Sequence, residues 1–200
     1  MKKLLLATRN ADKVKEIREF LQHLRIQILS VNDINGLVDV EEDQPTLAGN
    51  AIKKATVLSQ QAGLPALADD TGLEVEALGA GPGVMSSRFA GASATYDDNI
   101  QKLLRELEGI PERDRKARFR TVIAFAEKGK VETVEGVCEG VILTAKRGDG
   151  GFGYDPVFYV PERKKTFAEM SLKEKNEISH RGVALRKARI ILERYFEHNR

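Results

Sequence analysis

The sequence predicts a mixed α/β protein in two lobes, and three observations carry that expectation. Lys3 to Ala7 is a short apolar run, Asp12 to Leu24 has helical period, and Ile26 to Val31 is apolar again. Strand, helix and strand in succession are the mark of α/β architecture. Further on, Phe119, Thr121, Ile123 and Phe125 alternate as in a strand, Lys128-Gly129-Lys130 reads as a hairpin turn, and Val131 to Cys138 returns. Antiparallel pairing there places a second lobe beside the first. Finally, 200 residues suit one medium domain, or two lobes of one, and the chain reads as a single domain over 1–200.

Bulk properties narrow the function. A net charge of +2 is too weak to argue for nucleic acid or an anionic membrane as partner. The lone Cys138 cannot form an internal disulfide, which fits a reducing compartment. Lys2-Lys3 and Leu4-Leu5-Leu6 begin like a signal peptide but stop at Thr8, far short of an h-region. No apolar run approaches the roughly 20 residues that span a bilayer. The expectation is a cytoplasmic protein.

In the N-terminal unit, Val14, Ile17, Leu21 and Leu24 share one helical face, and Asn10 suits the N-cap. The loop Thr8-Arg9-Asn10-Ala11-Asp12-Lys13 thus joins a strand to a helix N-terminus, whose first amides have no internal partner and can take an anion. Lys13 can reach back as a point charge on phosphate. A capped helix with one surface lysine explains the same residues. The G-x-x-x-x-G-K-[ST] loop is absent from the chain.

From Asn32 to Pro45 the chain is irregular and acidic, with Asp39, Glu41, Glu42 and Asp43 close together. Such a run is a solvated loop or part of a cation site, and Mg²⁺ takes one or two carboxylates beside phosphate oxygens and water. Thr46 caps a second helix with Leu47, Ala51, Ala55, Leu58 and Ala62 inside and Gly63 and Pro65 closing it. One of Lys53 and Lys54 can face Asp70 across it.

Leu64 to Ala68 then leads into Asp69-Asp70-Thr71-Gly72. Adjacent strand residues face opposite ways, so one carboxylate can serve a site while the other meets the scaffold. Gly72 is expected to let the chain turn after Asp70, although Asp-Thr-Gly is also an ordinary turn. Leu73 to Leu78 reads as the next strand, Gly79 to Gly83 as a loop and candidate hinge, and Ser86-Ser87-Arg88 as phosphate contacts or a surface turn. Thr95 caps a third helix that buries Ile100, Leu103, Leu104 and Leu107.

Gly148-Asp149-Gly150-Gly151-Phe152-Gly153 fits G-x-G-x-x-G by letter, but that fingerprint opens a helix, whereas Tyr154 to Val160 reads as a strand. The glycines can instead bring backbone near a ligand, with Phe152 and Tyr154 offering faces to a base and Asp155 accepting from its N–H groups. A glycine-rich hairpin with core aromatics is the alternative. Ser171 with Glu174 has capping-box spacing for a helix containing Lys175, and Ser179 caps the last helix. That puts His180 and Arg181 in a first turn, where a cation opposes the helix dipole unless an anion binds. A solvated surface arginine fits equally.

Together these motifs make the chain resemble the inosine triphosphate pyrophosphatase family, which removes nonstandard purine nucleotides such as dITP, ITP and XTP. The likeness runs from Leu5 to about Leu185. It is carried by Leu6-Ala7-Thr8-Arg9-Asn10 with Lys13, Thr46 with Asn50-Ala51 and Lys54-Ala55, Ala68-Asp69-Asp70-Thr71-Gly72-Leu73, Pro82-Gly83, Ser87-Arg88-Phe89, Gly150 to Pro156, and Ser179-His180-Arg181-Gly182. Gly49 stands where the family usually has Glu, and Thr71 replaces a more frequent Ser while keeping the hydroxyl.

The resemblance implies a two-lobed α/β fold with an elongated central sheet and a cleft between lobes, a homodimer, and Mg²⁺-dependent hydrolysis of a nucleoside triphosphate to monophosphate and pyrophosphate. It implies Asp70 as general base and metal ligand, with Glu42 or Glu41 as the second ligand. Thr8, Arg9, Asn10, Ala11, Asp12 and Lys13, with Lys54 and Arg181, correspond to the phosphate site, and Thr71 is a further substrate-binding residue. Phe152, Gly153, Tyr154, Asp155, Lys175 and His180 correspond to the base and sugar pocket. If pyrophosphate leaves, water attacks the α-phosphorus, and a pocket donating to O6 of the purine would discriminate against adenine. A Maf-like pyrophosphatase of other base specificity and a nucleotide-binding module without turnover are the competing readings.

Overall fold

The computed structural model describes residues 2–198. It is a mixed α/β fold, as the sequence predicts. The elements in chain order are β1 (Lys3–Leu6), α1 (Ala11–Leu21), β2 (Gln27–Ser30), α2 (Leu47–Ala62), β3 (Ala66–Val75), β4 (Gly81–Gly83), α3 (Tyr96–Glu106), β5 (Lys116–Glu127), β6 (Lys130–Ile142), β7 (Phe158–Val160), β8 (Lys165–Thr166), α4 (Leu172–Ile178) and α5 (His180–His198). One sheet has the order β2-β1-β3-β5-β6-β7-β8, with β4 paired to β3. β1 runs parallel to β2 and β3, while β4, β7 and β8 pair antiparallel.

Local chemistry sets the boundaries. Asn10 caps α1 by accepting from the amides of Asp12 and Lys13. Thr46 accepts from the Gly49 amide at the start of α2, and Gly63 closes that helix in the left-handed conformation at φ +62°. Thr95 and Asp98 form a reciprocal capping box on α3, as do Ser171 and Glu174 on α4. Lys128 and Gly129 both have positive φ between β5 and β6, the conformation a two-residue hairpin requires.

The chain divides into two compact units. The first holds residues 1–70, 121–136 and 181–200, and the second 71–120 and 137–180. The core of the first joins Leu4, Leu6, Val14, Ile17, Leu21 and Leu67 to Ile123, Phe125 and the inner face of α5, Ala184, Leu185, Ala188 and Leu192. The core of the second gathers Leu73, Ile100, Leu103 and Leu107 around Phe119, Phe158 and Phe167. Strand β5 alternates buried and open residues only as far as Arg120. From Thr121 to Ala126 both of its faces are covered.

Three expectations need correction. Gly72 makes no turn: β3 runs unbroken through Asp69, Asp70 and Thr71 to Val75. Pairing to β1 at one end and to β4 at the other satisfies backbone groups that a buried turn would strand. The expected hinge at Gly79 to Gly83 is partly strand, since Gly81, Pro82 and Gly83 pair with Val75, Glu74 and Leu73. The strand expected over Tyr154 to Val160 begins only at Phe158; the residues before it form turns.

Candidate active site

The first unit gathers charge around β3. Asp69 and Asp70 are 2% and 6% exposed, and, as adjacent strand residues, they meet different partners. Asp69 receives the Arg181 guanidinium through Nε at 3.1 Å and Nη2 at 3.0 Å, and Lys13 Nζ lies 3.2 Å away. Arg181 also binds Glu16 at 2.6 Å. Asp70 instead accepts from the Asn50 side-chain amide at 3.2 Å and faces Lys54 Nζ at 3.6 Å. Lys54 donates to Glu42 at 2.6 Å and to the Asp69 carbonyl at 2.8 Å.

These surroundings push the two neighbouring carboxyls in opposite directions. Burial alone would raise Asp69, but Lys13, Arg181 and Lys54 outweigh it and hold the group far below the ordinary carboxylate range. Burial raises Asp70, and the pull of Lys54 and Lys13 does not cancel it. Burial would lower Lys54, yet Asp70, Glu42 and Asp69 together raise it. Burial lowers Lys13 despite Asp69. Opposed shifts in neighbouring carboxyls separate a group held ionised from one that takes up a proton more readily.

The predicted residues of this unit fall into place unevenly. Glu42 is half-buried on Lys54, while its neighbour Glu41 is exposed. Among the described residues no three His, Cys, Asp or Glu side chains converge as a metal cage. One ammonium, Lys54, sits among two carboxylates and a carbonyl oxygen, a donor set of the kind that hard divalent cations take. The loop before α1 is less open to an anion than expected. The Asn10 side chain takes the amides of Asp12 and Lys13, and Thr8 Oγ1 accepts the Asn10 amide. Ala11 and Asp12 are exposed, and Arg9 is turned to Asp39 at 2.6 Å, to Asn32 and to the Leu37 carbonyl. Arg181 departs most from expectation: the anions at this helix start are Asp69 and Glu16, and its side chain is buried with them. Thr71, where the second unit begins, continues β3 and is half-buried.

The second unit builds an aromatic and ionic cluster around the glycine-rich turn. Lys175, 3% exposed, places Nζ 2.6 Å from Asp155 and 4.7 Å from the centre of the Phe152 ring. The same Asp155 oxygen accepts the Phe152 amide at 2.8 Å. Gly151, at φ +71°, makes this possible, because a β-carbon there would lie 2.1 Å from Asp155 Oδ2. Gly153 is likewise left-handed at φ +60°, and Phe152 is half-buried. Tyr154 does not offer a face to a base: its ring is buried in the core and its hydroxyl donates to the Ser86 carbonyl at 2.9 Å. His180 stacks on Phe119 with ring centres 4.5 Å apart and is 3% exposed. Ser86, read from sequence as a phosphate contact or turn, is buried; it accepts the Leu73 amide and donates to the Gly83 carbonyl.

Two residues of these clusters have no role in the sequence reading. Glu16 lies three positions after Lys13 on one helix face, so both can approach Asp69 with Arg181. Asn50 is fully buried within the apolar stripe of α2, where it accepts the Gln44 amide and donates to Asp70. A polar residue inside an apolar stripe is the signal that could have marked it.

A family model described as the Ham1 family matches residues 4–190. A relative from Desulforamulus reducens named dITP/XTP pyrophosphatase is 55% identical over 197 residues, covering 98% of each chain. Among solved structures, a HAM1 protein from Coxiella burnetii has a TM-score of 0.88 at 44% identity, covering 97% of this chain and 100% of that one. The Ham1 protein of Staphylococcus aureus gives 0.83 at 34% identity, with both chains covered in full. The family match spans segments of both units, and the chain belongs to the Ham1 family.

Proposed function

We propose that this chain hydrolyses nonstandard purine nucleoside triphosphates, the dITP, ITP and XTP class, to the monophosphate and pyrophosphate. The observation that carries the chemistry is the convergence of Glu42 and Asp70 on one ammonium, that of Lys54. A protein that only bound polyanions would gain nothing from buried carboxylates at that point. The relatives' shared name supplies the substrate class.

Glu42 and Asp70 are the residues that would hold Mg²⁺; Glu41 is exposed and is the weaker candidate. Bound there, Mg²⁺ would neutralise charge on the phosphate oxygens and favour pyrophosphate as leaving group. Asp70, raised by burial and oriented by Asn50, takes the proton of the water that attacks the α-phosphorus. Lys13 and Lys54 supply positive charge to the phosphates, with Thr8 and Asn10 shaping the loop beside them. Asp69, ionised and tied to Arg181, aims Lys13. In the second unit Phe152 offers a ring to the base, and Asp155 and Lys175 offer polar contacts. The chain is read as a single nucleotide pyrophosphatase domain, as the family resemblance implies. A homodimer is the assembly the family resemblance supports. The cytoplasm fits the lone Cys138, and the weak net charge argues against nucleic acid as partner. Among the described residues no helix is long and apolar enough to cross a membrane.

The test is product analysis with purified protein and Mg²⁺, supplying ITP, XTP, dATP, GTP and dTTP separately. Pyrophosphate from ITP and XTP, with little from the others, is expected. Orthophosphate, preference for dTTP, or binding without turnover would overturn the reading. Asp70→Asn should lower turnover by roughly 10² to 10⁴-fold while leaving the fold intact; near-full activity would remove Asp70 from the role of base.

A further inference from the structure

Tyr96 is the first residue of α3 and is 44% exposed, outside both cores. Its place is nonetheless well determined. The Thr95–Asp98 capping box sets where the helix begins. Lys146 pairs with Asp97, tying this helix end to the segment just ahead of the glycine-rich turn. The Tyr96 ring therefore lies against Phe152, with centres 6.0 Å apart and planes tilted by 42°. Phe152 also has the Lys175 ammonium 4.7 Å from its ring centre. The two partly exposed rings, held together above the buried Lys175 ammonium, form a surface that a planar heterocycle can cover, taking apolar area out of water.

We propose that Tyr96 is a specificity-determining residue of the purine site. The base stacks on Phe152 and extends its contact to Tyr96. This rests on the function proposed above and adds a residue that the family-like motifs of the chain do not contain. A bicyclic base spans more of a two-ring surface than a pyrimidine does, so Tyr96 contributes to the choice of purines.

Two variants test it. Tyr96→Ala should raise KM for ITP on the order of tenfold, the scale of one base–aromatic stack, and change kcat less than twofold. Tyr96→Phe should keep the wild-type KM, which a role in holding the helix through the hydroxyl would not allow. The chain has no Trp, so Tyr96→Trp places a single tryptophan at the site, whose emission is excited selectively over that of the tyrosines. Titration with IMP should quench or shift its emission saturably. An unchanged KM in Tyr96→Ala, or emission blind to IMP, overturns the proposal. Absence of pyrophosphate release from ITP by the wild-type enzyme would instead refute the underlying function, and the emission titration distinguishes the two failures.

Discussion

Arg181 is expected to be the most costly single side chain to remove from the first unit. Its side chain is 2% exposed and binds two carboxylates, Glu16 through one nitrogen and Asp69 through two. Truncation to Ala takes the guanidinium from both buried anions, while Lys13 remains near Asp69. Breaking a buried pair by deleting one partner costs about 3–5 kcal/mol, because the residual charge stays buried. At roughly 2–4 °C per kcal/mol for a chain of this size, Tm should fall by about 6–20 °C. Urea unfolding followed by circular dichroism gives the free energy, and thermal melts give Tm. The decisive control adds Glu16→Gln to Arg181→Ala. That replaces a buried charge that has lost its guanidinium by a neutral group of similar shape, and should recover at least about 1 kcal/mol. A single variant within about 1 kcal/mol of wild type, or a double variant less stable than the single, would refute the assignment of Arg181 as a buried structural cation.

Two further outcomes follow from particular contacts. A β-carbon at Gly49 would lie 2.8 Å from Gln44 Cβ, and the Gln44 amide is tied to Asn50. Gly49→Ala should therefore push the acidic segment outward and raise the Mg²⁺ concentration for half-maximal activity severalfold, with kcat at saturating Mg²⁺ held; an unchanged Mg²⁺ titration would show that Glu42 keeps its place regardless. Burial, with Glu139 and Glu162 nearby, pushes the Cys138 thiol up to about 12. At pH 8 it should carry on the order of 10³-fold less thiolate than an ordinary cysteine and react correspondingly slowly with a disulfide reagent, then react fully in denaturant. Fast reaction in the folded protein would contradict its burial.

Much of the local structure was legible in the sequence because it depends on neighbours along the chain. Asn10, Thr46, Thr95 and Ser171 cap their helices because a side-chain oxygen placed just before a helix reaches free amides whatever the rest of the fold does. The β5–β6 hairpin follows from Lys128-Gly129 in the same way. The motif Ala68-Asp69-Asp70 pointed to the charged centre, since adjacent strand residues must diverge.

What tertiary structure decided is which partner each charge finds. Sequence left Arg181 either to solvent or to a bound anion, phosphate by the resemblance; the packing of α5 against α1 and β3 in the first unit supplies Glu16 and Asp69 instead. Sequence could not choose between Glu41 and Glu42, because a loop has no period to assign a face; in the fold Lys54 on α2 holds Glu42, and Asn50 holds the Gln44 amide two residues on. It gave Tyr154 and Phe152 equal claim to a base. Burial among Leu73, Phe119 and Phe158 took Tyr154 into the core and left Phe152 beside Lys175 and Tyr96. Capping and turning are short-range and can be read from a few residues. Desolvation and charge pairing depend on groups tens of positions apart, and exist only once the chain has closed on itself.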